Sequence, residues 1–197
     1  PVWYEEFPGN RTDVTLIKHI VSQTEHYDIE KLSLCLDRGF YSESNIKALL
    51  SERFDFIIGL KASTNAEKRL IAESARDITS DAFAIYDNDT RTYCLQVDYP
   101  ITYDCRNEDN AITSETIMLK VNIYYSWDRK ASDANGFNDK ITELGTHLSD
   151  VNPDKKLQKL IKKYFIKTDN GYQKNFKVIN DETKYHGYFL ILSSEKT

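Results

Sequence analysis

The chain has 197 residues, of which 40% are hydrophobic and 29% are charged, a profile typical of a globular protein and not of a disordered one. Its formal net charge of −5 argues against a uniformly nucleic-acid-binding surface, although 26 lysines and arginines leave room for a locally basic face. No stretch approaches the roughly 18 apolar residues that span a bilayer, and three distant cysteines predict neither a disulfide framework nor a zinc site.

The first 60 residues alternate between strand and helix patterns. Residues 2–7 predict a short strand, and residues 13–26 predict a helix with one apolar face. Residues 31–36 form an apolar run of the kind found in interior parallel strands. Ser42 predicts the N-cap of the next helix, and Asp55–Leu60 is a further apolar strand. This order, with its short connections, predicts a parallel α/β sheet.

After this region the pattern becomes rich in β-strands. Residues 65–78 predict a helix, and a hairpin follows around the turn at 87–89. The clearest strand is 117–125, where apolar residues alternate strictly with others. The remaining predicted elements are a polar helix at 128–148, a lysine-rich helix from Asn152-Pro153 to Lys167, a hairpin around 169–171 and a last strand at 188–192.

Asp37 directly follows the apolar run 31–36 and precedes an Arg-Gly-Phe-Tyr-Ser turn. In open α/β sheets, functional groups collect at the carboxyl ends of parallel strands, and a carboxylate there suits a divalent metal ion. The alternative is a local role, in which Asp37 caps the turn or pairs with Arg38. The residues of this turn alone leave both interpretations open.

Three stretches resemble the DDE-type transposases of bacterial insertion sequences, in the group typified by insertion sequence four. They are PVWYEEFPGNRTD (1–13), LCLDRGFYSESNI (34–46) and YHGYFLILSSE (185–195), with weaker similarity in YYSWDRKA (124–131). His186 stands where that group usually has an aspartate. The resemblance implies an α/β fold with a partial ribonuclease-H-like core and a large β-rich α+β insertion. The implied domains are a core portion at 1–61, an insertion at 62–184 and a returning core strand at 185–197.

The resemblance also implies a chemistry, in which two aspartates and one glutamate hold two Mg²⁺ or Mn²⁺ ions for phosphoryl transfer. Asp37 would be the second acid, both catalytic and metal-binding. We expect the other two acids outside this chain, so that it is an internal fragment, inactive alone, with Asp37 on an open rim near both chain ends. The implied partner is double-stranded transposon-end DNA, bound by a homodimer of the full-length protein in the bacterial cytoplasm, at the nucleoid.

A rival hypothesis is a non-catalytic remnant or protein-interaction module on the same scaffold, which the acidic charge balance favours. The DNA-contact candidates are Arg38, Arg129, Lys130, Lys155, Lys159 and Lys162. The lysine-rich helix has a simpler interpretation as a solvated surface whose apolar stripe faces the core. Trp127 could stack on an extruded base, but its pattern favours closure of a hydrophobic core.

Overall fold

The computed structural model describes residue 17 and residues 33–60, 65–106 and 111–194. The predicted strand at 2–7 lies outside the described residues, and the predicted helix at 13–26 is described only at Ile17, which is fully buried. The chain divides into two compact units. Unit 1 comprises Pro1–Ala75, Leu95–Ile123 and Phe189–Thr197, and unit 2 comprises Arg76–Cys94 and Tyr124–Tyr188. The division at 61/62 and 184/185 stays a prediction.

The described residues form eight strands, five α-helices and one 3-10 turn at Arg38–Phe40. The strands are β1 (Ser33–Leu36), β2 (Asp55–Leu60), β3 (Ile85–Asp87), β4 (Thr92–Arg106), β5 (Ile112–Ser126), β6 (Phe165–Thr168), β7 (Gly171–Lys174) and β8 (Tyr188–Ser193). The helices are α1 (Glu43–Ser51), α2 (Asn65–Ser74), α3 (Trp127–Thr146), α4 (Lys155–Tyr164) and α5 (Phe176–Thr183).

A mixed sheet organises unit 1, with the strand order β1-β2-β8-β5-β4. β1 and β2 run parallel, with Leu36 opposite Ile58, and β8 runs antiparallel to β2. Helix α1 connects the two parallel strands and buries Ile46, Leu49 and Leu50. The predicted α/β fold, with its partial ribonuclease-H-like core and β-rich insertion, is therefore confirmed.

The position of β1 agrees with a partial core that lacks the first strand of this fold, which was expected to leave residues 31–36 at an open edge. β1 stands at the end of the described sheet, and its four residues alternate between exposed and half-buried. Among the described strands only β2 pairs with it, which leaves its other edge without a described neighbour. β1 is therefore less buried than its apolar sequence indicated.

β4 and β5 are long strands of 15 residues each. Side-chain hydrogen bonds join Gln96 to Asn122 and Thr102 to Thr116. Residue numbers therefore increase along β4 in the direction in which they decrease along β5, so the two strands run antiparallel. The predicted alternation is confirmed, since Leu119, Val121, Ile123 and Tyr125 of β5 are all buried. One face of β5 therefore contributes a continuous row of side chains to the core.

Unit 2 contains the β3–β4 hairpin, whose predicted turn at 87–89 is confirmed. Asp87 accepts hydrogen bonds from the Asp89 N–H at 3.0 Å and from the Thr90 hydroxyl at 2.6 Å. These bonds lower the pKa of the Asp87 carboxyl, the Thr90 hydroxyl contributing most. Asp87 is therefore a turn residue, as its Asp-Asn-Asp context predicted.

Helix α4 is shorter than predicted. Its N-cap is Asp154, whose carboxylate accepts the Lys156 and Leu157 N–H groups at 2.8 Å, and it ends at Tyr164. The next residues form β6, which pairs with β7 in a register that places Phe165 opposite Lys174 and Thr168 opposite Gly171. Continuation of the helix to Lys167 was therefore wrong, because pairing with β7 satisfies the backbone groups that a further helical turn would have used.

Helix α5 was missed by the sequence analysis. Asn175 caps it, with its side-chain oxygen 3.5 Å from the Val178 nitrogen, and Val178 and Ile179 pack on the core of unit 2. That core centres on a buried cluster from α3, α4 and β6. Its buried members are Ile141, Leu144, Tyr164 and Phe165.

The Tyr164 hydroxyl donates to the Glu182 carboxylate at 2.6 Å, and the Lys163 ammonium pairs with the same carboxylate. Burial opposes ionisation of Glu182, but the bonds from Lys163 and Tyr164 outweigh burial and place its pKa below the ordinary 4.5. The folded state therefore binds this proton more weakly than the unfolded chain does. The resulting stabilisation is fully present above about pH 4.5 and is lost as the pH falls through the lowered pKa.

We expect Glu182→Gln to lower the free energy of unfolding by about 1 kcal/mol at pH 7, because a charged acceptor of a buried hydroxyl becomes neutral. Urea unfolding at pH 7 and at lower pH values should show that the variant also loses part of the acid sensitivity. Glu143→Gln on α3 is the matched control, since the Glu143 side chain is exposed and bonds no described residue. An acid dependence identical in wild type and Glu182→Gln would contradict this assignment.

Gly187 immediately precedes β8 and is hydrogen-bonded to the last residue of β5, within unit 2. Its carbonyl accepts from the Ser126 N–H at 3.1 Å, and its own N–H donates to Asp133 at 2.9 Å. Its φ of +87° lies in the left-handed region, which side chains rarely adopt. This position therefore requires glycine for backbone conformation as well as for space.

Candidate functional site

Asp37 occupies the turn that follows the carboxyl end of β1. Its Oδ1 accepts the Arg38 N–H at 2.6 Å and so caps the 3-10 turn, while its carbonyl accepts the Phe40 N–H at 3.0 Å. The residue is exposed, and no described residue donates a hydrogen bond to its Oδ2. The local capping role therefore engages one carboxylate oxygen, and among the described residues the second has no donor.

Two residues that the sequence analysis missed hold this turn in place. Asn45, almost fully buried in α1, donates from Nδ2 to the Phe40 carbonyl at 2.8 Å. Gly59 of β2 lets the turn lie close, since a Cβ there would stand 3.3 Å from the Arg38 Cβ. A glycine inside an apolar strand is a sequence signal for such a close approach.

Arg38 and Tyr41 set the electrostatics of the turn. The Arg38 side chain is exposed, and its guanidinium forms no ion pair with any residue that the structure describes. Tyr41 is half-buried, and burial together with the nearby Tyr99 and Glu67 raises its pKa far above the ordinary 10.0. The turn therefore presents one carboxylate, one guanidinium and a phenol that stays neutral at physiological pH.

Asp37 is exposed at the end of β1, as the predicted open rim requires, whereas both chain ends, which were predicted to emerge near it, lie outside the described residues. Ser194, the last of them, bonds through its Oγ to the Phe56 nitrogen at 2.8 Å, near the beginning of β2. Asp37 lies beside the other end of β2, beyond the Leu36–Ile58 pair. Because β8 runs antiparallel to β2, it carries the chain away from Asp37.

A divalent metal ion fits this site only in part. Asp37 supplies an exposed carboxylate of the kind that Mg²⁺ uses. Across the described ranges, however, no group of three histidine, cysteine, aspartate or glutamate side chains is arranged to hold a metal ion. The described residues thus provide one ligand and do not form a complete metal centre.

Arg129 and Lys130 lie in the first turn of α3, in unit 2. The Arg129 Nε is 3.9 Å from the Asp133 carboxylate. The Lys130 ammonium lies 5.2 Å from the Trp127 ring centre, and this ring meets Tyr125 edge-on at 5.0 Å. Trp127 is 54% exposed and begins the helix, so the favoured interpretation that it closes a core was wrong. Both cations remain accessible at the surface.

Lys155, Lys159 and Lys162 lie on α4, also in unit 2, and all three are exposed. None of them forms an ion pair within the described part of the chain, in contrast to Lys163, which pairs with Glu182. The apolar stripe of the helix packs on the core of unit 2, as the solvated-surface interpretation predicted. Asp37 and Arg38 belong to unit 1, so the predicted site residues are divided between the two units.

The sequence model of the transposase DDE domain matches residues 1–126 of this chain. The match covers more than half of the chain and includes the Asp37 turn, β2, β4 and β5. The chain therefore belongs to the family of transposase DDE domains. Searches of curated proteins and of solved structures found no match.

Family membership assigns the chain to DNA transposition, with DNA as the implied partner and a divalent metal ion as the implied cofactor. None of the described helices is both long enough and apolar enough to cross a membrane.

Proposed function

We propose that this chain is an internal part of the catalytic domain of an insertion-sequence-four-like transposase, which cleaves and joins transposon-end DNA. The proposed parts are core at 1–61, insertion at 62–184 and returning core strand at 185–197. The observation that carries the proposal is the Asp37 turn, where an exposed carboxylate follows the carboxyl end of a parallel strand and one of its oxygens has no partner among the described residues. The turn lies inside the span that matches the transposase family.

Asp37 acts in this proposal as the second acid of the catalytic set and as a metal ligand. The first aspartate and the glutamate come from parts of the domain outside this chain, in keeping with the lack of a group of three possible metal ligands among the described residues. Bound Mg²⁺ or Mn²⁺ would supply Lewis-acid activation of the attacking and leaving oxygens. Arg38, beside Asp37, offers a guanidinium that can contact a phosphate through two parallel hydrogen bonds.

We expect the 197-residue chain alone to show no strand cleavage of transposon-end DNA with either Mg²⁺ or Mn²⁺, because the proposal places two of the three acids outside it. A longer polypeptide that adds both flanking parts of the catalytic domain should cleave. The measurement is the release of a labelled strand from a duplex that carries the transposon end. Metal-dependent cleavage by the short chain, lost in Asp37→Asn, would overturn the fragment proposal while supporting the role of Asp37.

The rival function is a non-catalytic remnant or protein-interaction module. The observation that favours it is the acidic charge balance, a formal net charge of −5. The same assay separates the two functions. A longer polypeptide that binds no metal and leaves the duplex intact would favour the rival.

We propose further that exposed cations of unit 2 contact the DNA backbone. Lys155, Lys159 and Lys162 form one stripe on α4, at helical spacing, and Arg129 and Lys130 lie at the start of α3. Their lack of acid partners among the described residues makes the three lysines available for phosphates, whereas Lys163 is engaged by Glu182.

The double variant Lys155→Gln/Lys159→Gln should weaken DNA binding and reduce the slope of log K against log salt by about 0.9 for each lysine. Adding Lys162→Gln should reduce it by about 0.9 again. Fluorescence anisotropy over a series of salt concentrations measures this slope. The control is Lys174→Gln/Lys177→Gln, which removes equal charge from exposed positions outside α4. Equal slope changes in the two double variants would contradict a specific role for α4.

We also propose that the full-length protein is a homodimer that acts at the nucleoid in the bacterial cytoplasm. The edge of β1 that has no neighbour among the described strands supports a role in pairing, because strand edges present backbone groups that a further strand can bind.

A further inference from the structure

Unit 2 contains a cavity of about 290 Å³, formed by the segment that follows α3, by α4 and by the β6–β7 hairpin. Its apolar lining includes Leu148, Ile161, Phe165 and Tyr172, of which Ile161 and Phe165 are buried in the core. Small-molecule sites commonly have volumes of about 300 Å³ upwards and combine apolar walls with a few polar groups. This cavity is therefore large enough for a ligand with one or two rings.

The charged groups of the cavity favour an anion. Lys162 of α4 and Lys167 of β6 line it, and neither forms an ion pair with a described residue. Asp150 is the single carboxylate among the described lining residues, and its Oδ2 lies 2.8 Å from the His147 Nδ1. The lining therefore carries two ammonium groups and one carboxylate, and His147 already contacts that carboxylate. The net charge of the lining is positive.

The β6–β7 register brings an apolar wall and a cation together. Lys167 and Tyr172 are directly opposite each other in this hairpin, and both line the cavity. Opposite residues in a strand pair share one face of the sheet, with their Cβ atoms about 5 Å apart. A ring that contacts Tyr172 therefore has the Lys167 ammonium within reach of a carboxylate attached to it.

We propose that this cavity binds a small aromatic carboxylate. The ring contacts Phe165 and Tyr172, and the carboxylate accepts hydrogen bonds from Lys162 and Lys167, which are charge-assisted and hence stronger than neutral ones. This site is separate from the Asp37 turn, and its ligand is not DNA.

The test uses 2-naphthoate as the probe and 2-naphthylmethanol, which has the same ring without the charge, as its matched neutral compound. Each is titrated into the 197-residue chain by calorimetry. Naphthoate should bind about tenfold more tightly than the alcohol, the gain of about 1.4 kcal/mol that one charged contact supplies. Lys167→Gln should reduce this preference severalfold, since Lys162 still contacts the carboxylate, and should leave the affinity for the alcohol unchanged. Tyr172→Ala should weaken both compounds by a similar factor.

Lys156→Gln is the matched control, because Lys156 is exposed on α4 and does not line the cavity. It should leave both affinities unchanged. Lys167, Tyr172 and Lys156 are surface residues, so none of the three variants removes a buried contact of the core. Equal affinities for the acid and the alcohol, a loss in Lys156→Gln as large as in Lys167→Gln, or the absence of saturable binding would each overturn the proposal.

Discussion

Asp37→Asn is expected to lower strand cleavage by the complete transposase by about 10³-fold, equivalent to about 4 kcal/mol of transition-state stabilisation. Asparagine keeps the size of the side chain, and its carbonyl oxygen can still accept the Arg38 N–H that caps the turn. The variant loses only the negative charge. The expected result is therefore an intact fold with the chemical step lost.

Asp55→Asn is the matched control on the neighbouring strand. Asp55 is an exposed carboxylate at the beginning of β2, opposite Ser33, whereas Asp37 follows the far end of β1. Cleavage should stay within about twofold of wild type, since surface changes away from a site have small effects on the fold. Initial cleavage rates at saturating Mg²⁺ and the urea unfolding midpoint should be measured on both variants. An Asp37→Asn enzyme as active as Asp55→Asn would remove the basis of the proposed site.

Gly187→Ala is expected to destabilise unit 2 by about 3 kcal/mol. An L-residue at this left-handed φ costs about 1–2 kcal/mol, and forced overlap in a packed region adds about 1–3 kcal/mol. The new Cβ would stand 2.8 Å from the Lys130 Cβ and 2.9 Å from the Ser126 carbonyl oxygen. The Ser126 oxygen is backbone, so relief of the overlap requires the start of α3 to move.

Alanine substitutions at two other glycines separate the cost of the left-handed φ from the cost of overlap. Gly171 has a φ of +114°, but no described atom lies within 4 Å of the position that a Cβ would take, so Gly171→Ala should cost only about 1 kcal/mol. Gly136 lies within α3 with open space around it, so Gly136→Ala should stabilise by about 0.5–1 kcal/mol. Urea unfolding measures the series. A Gly187→Ala cost no larger than that of Gly171→Ala would show that overlap contributes nothing.

Local patterns predicted those features that depend on one segment of chain. The alternation in 117–125 placed Leu119, Val121 and Ile123 on the buried face, because side chains of a strand point to opposite faces in turn. The Asp-Asn-Asp turn and the Ser42 N-cap were predicted for the same reason, since the side chains of Asp87 and Ser42 bond to groups no more than three residues away. The position of Asp37 at a strand end likewise followed from its immediate neighbours.

The missed features depend on distant segments. Nothing around Gly187 indicated that its N–H bonds to Asp133, 54 residues earlier, and Glu182 gave no sign of its bond to Tyr164. The lysine-rich helix had an apolar pattern that continued past Tyr164, and only the pairing of β6 with β7 ended it.

The sequence by itself determined the α/β class, the buried face of β5 and the carboxylate that ends β1. Only the tertiary structure decided that one oxygen of Asp37 meets no described donor, that Asn45 and Gly59 hold its turn, and that β8 leads the chain away from it. The physical reason is that residue spacing fixes the directions of side chains within one element. Hydrogen bonds and overlaps between elements depend on how the elements are placed in space.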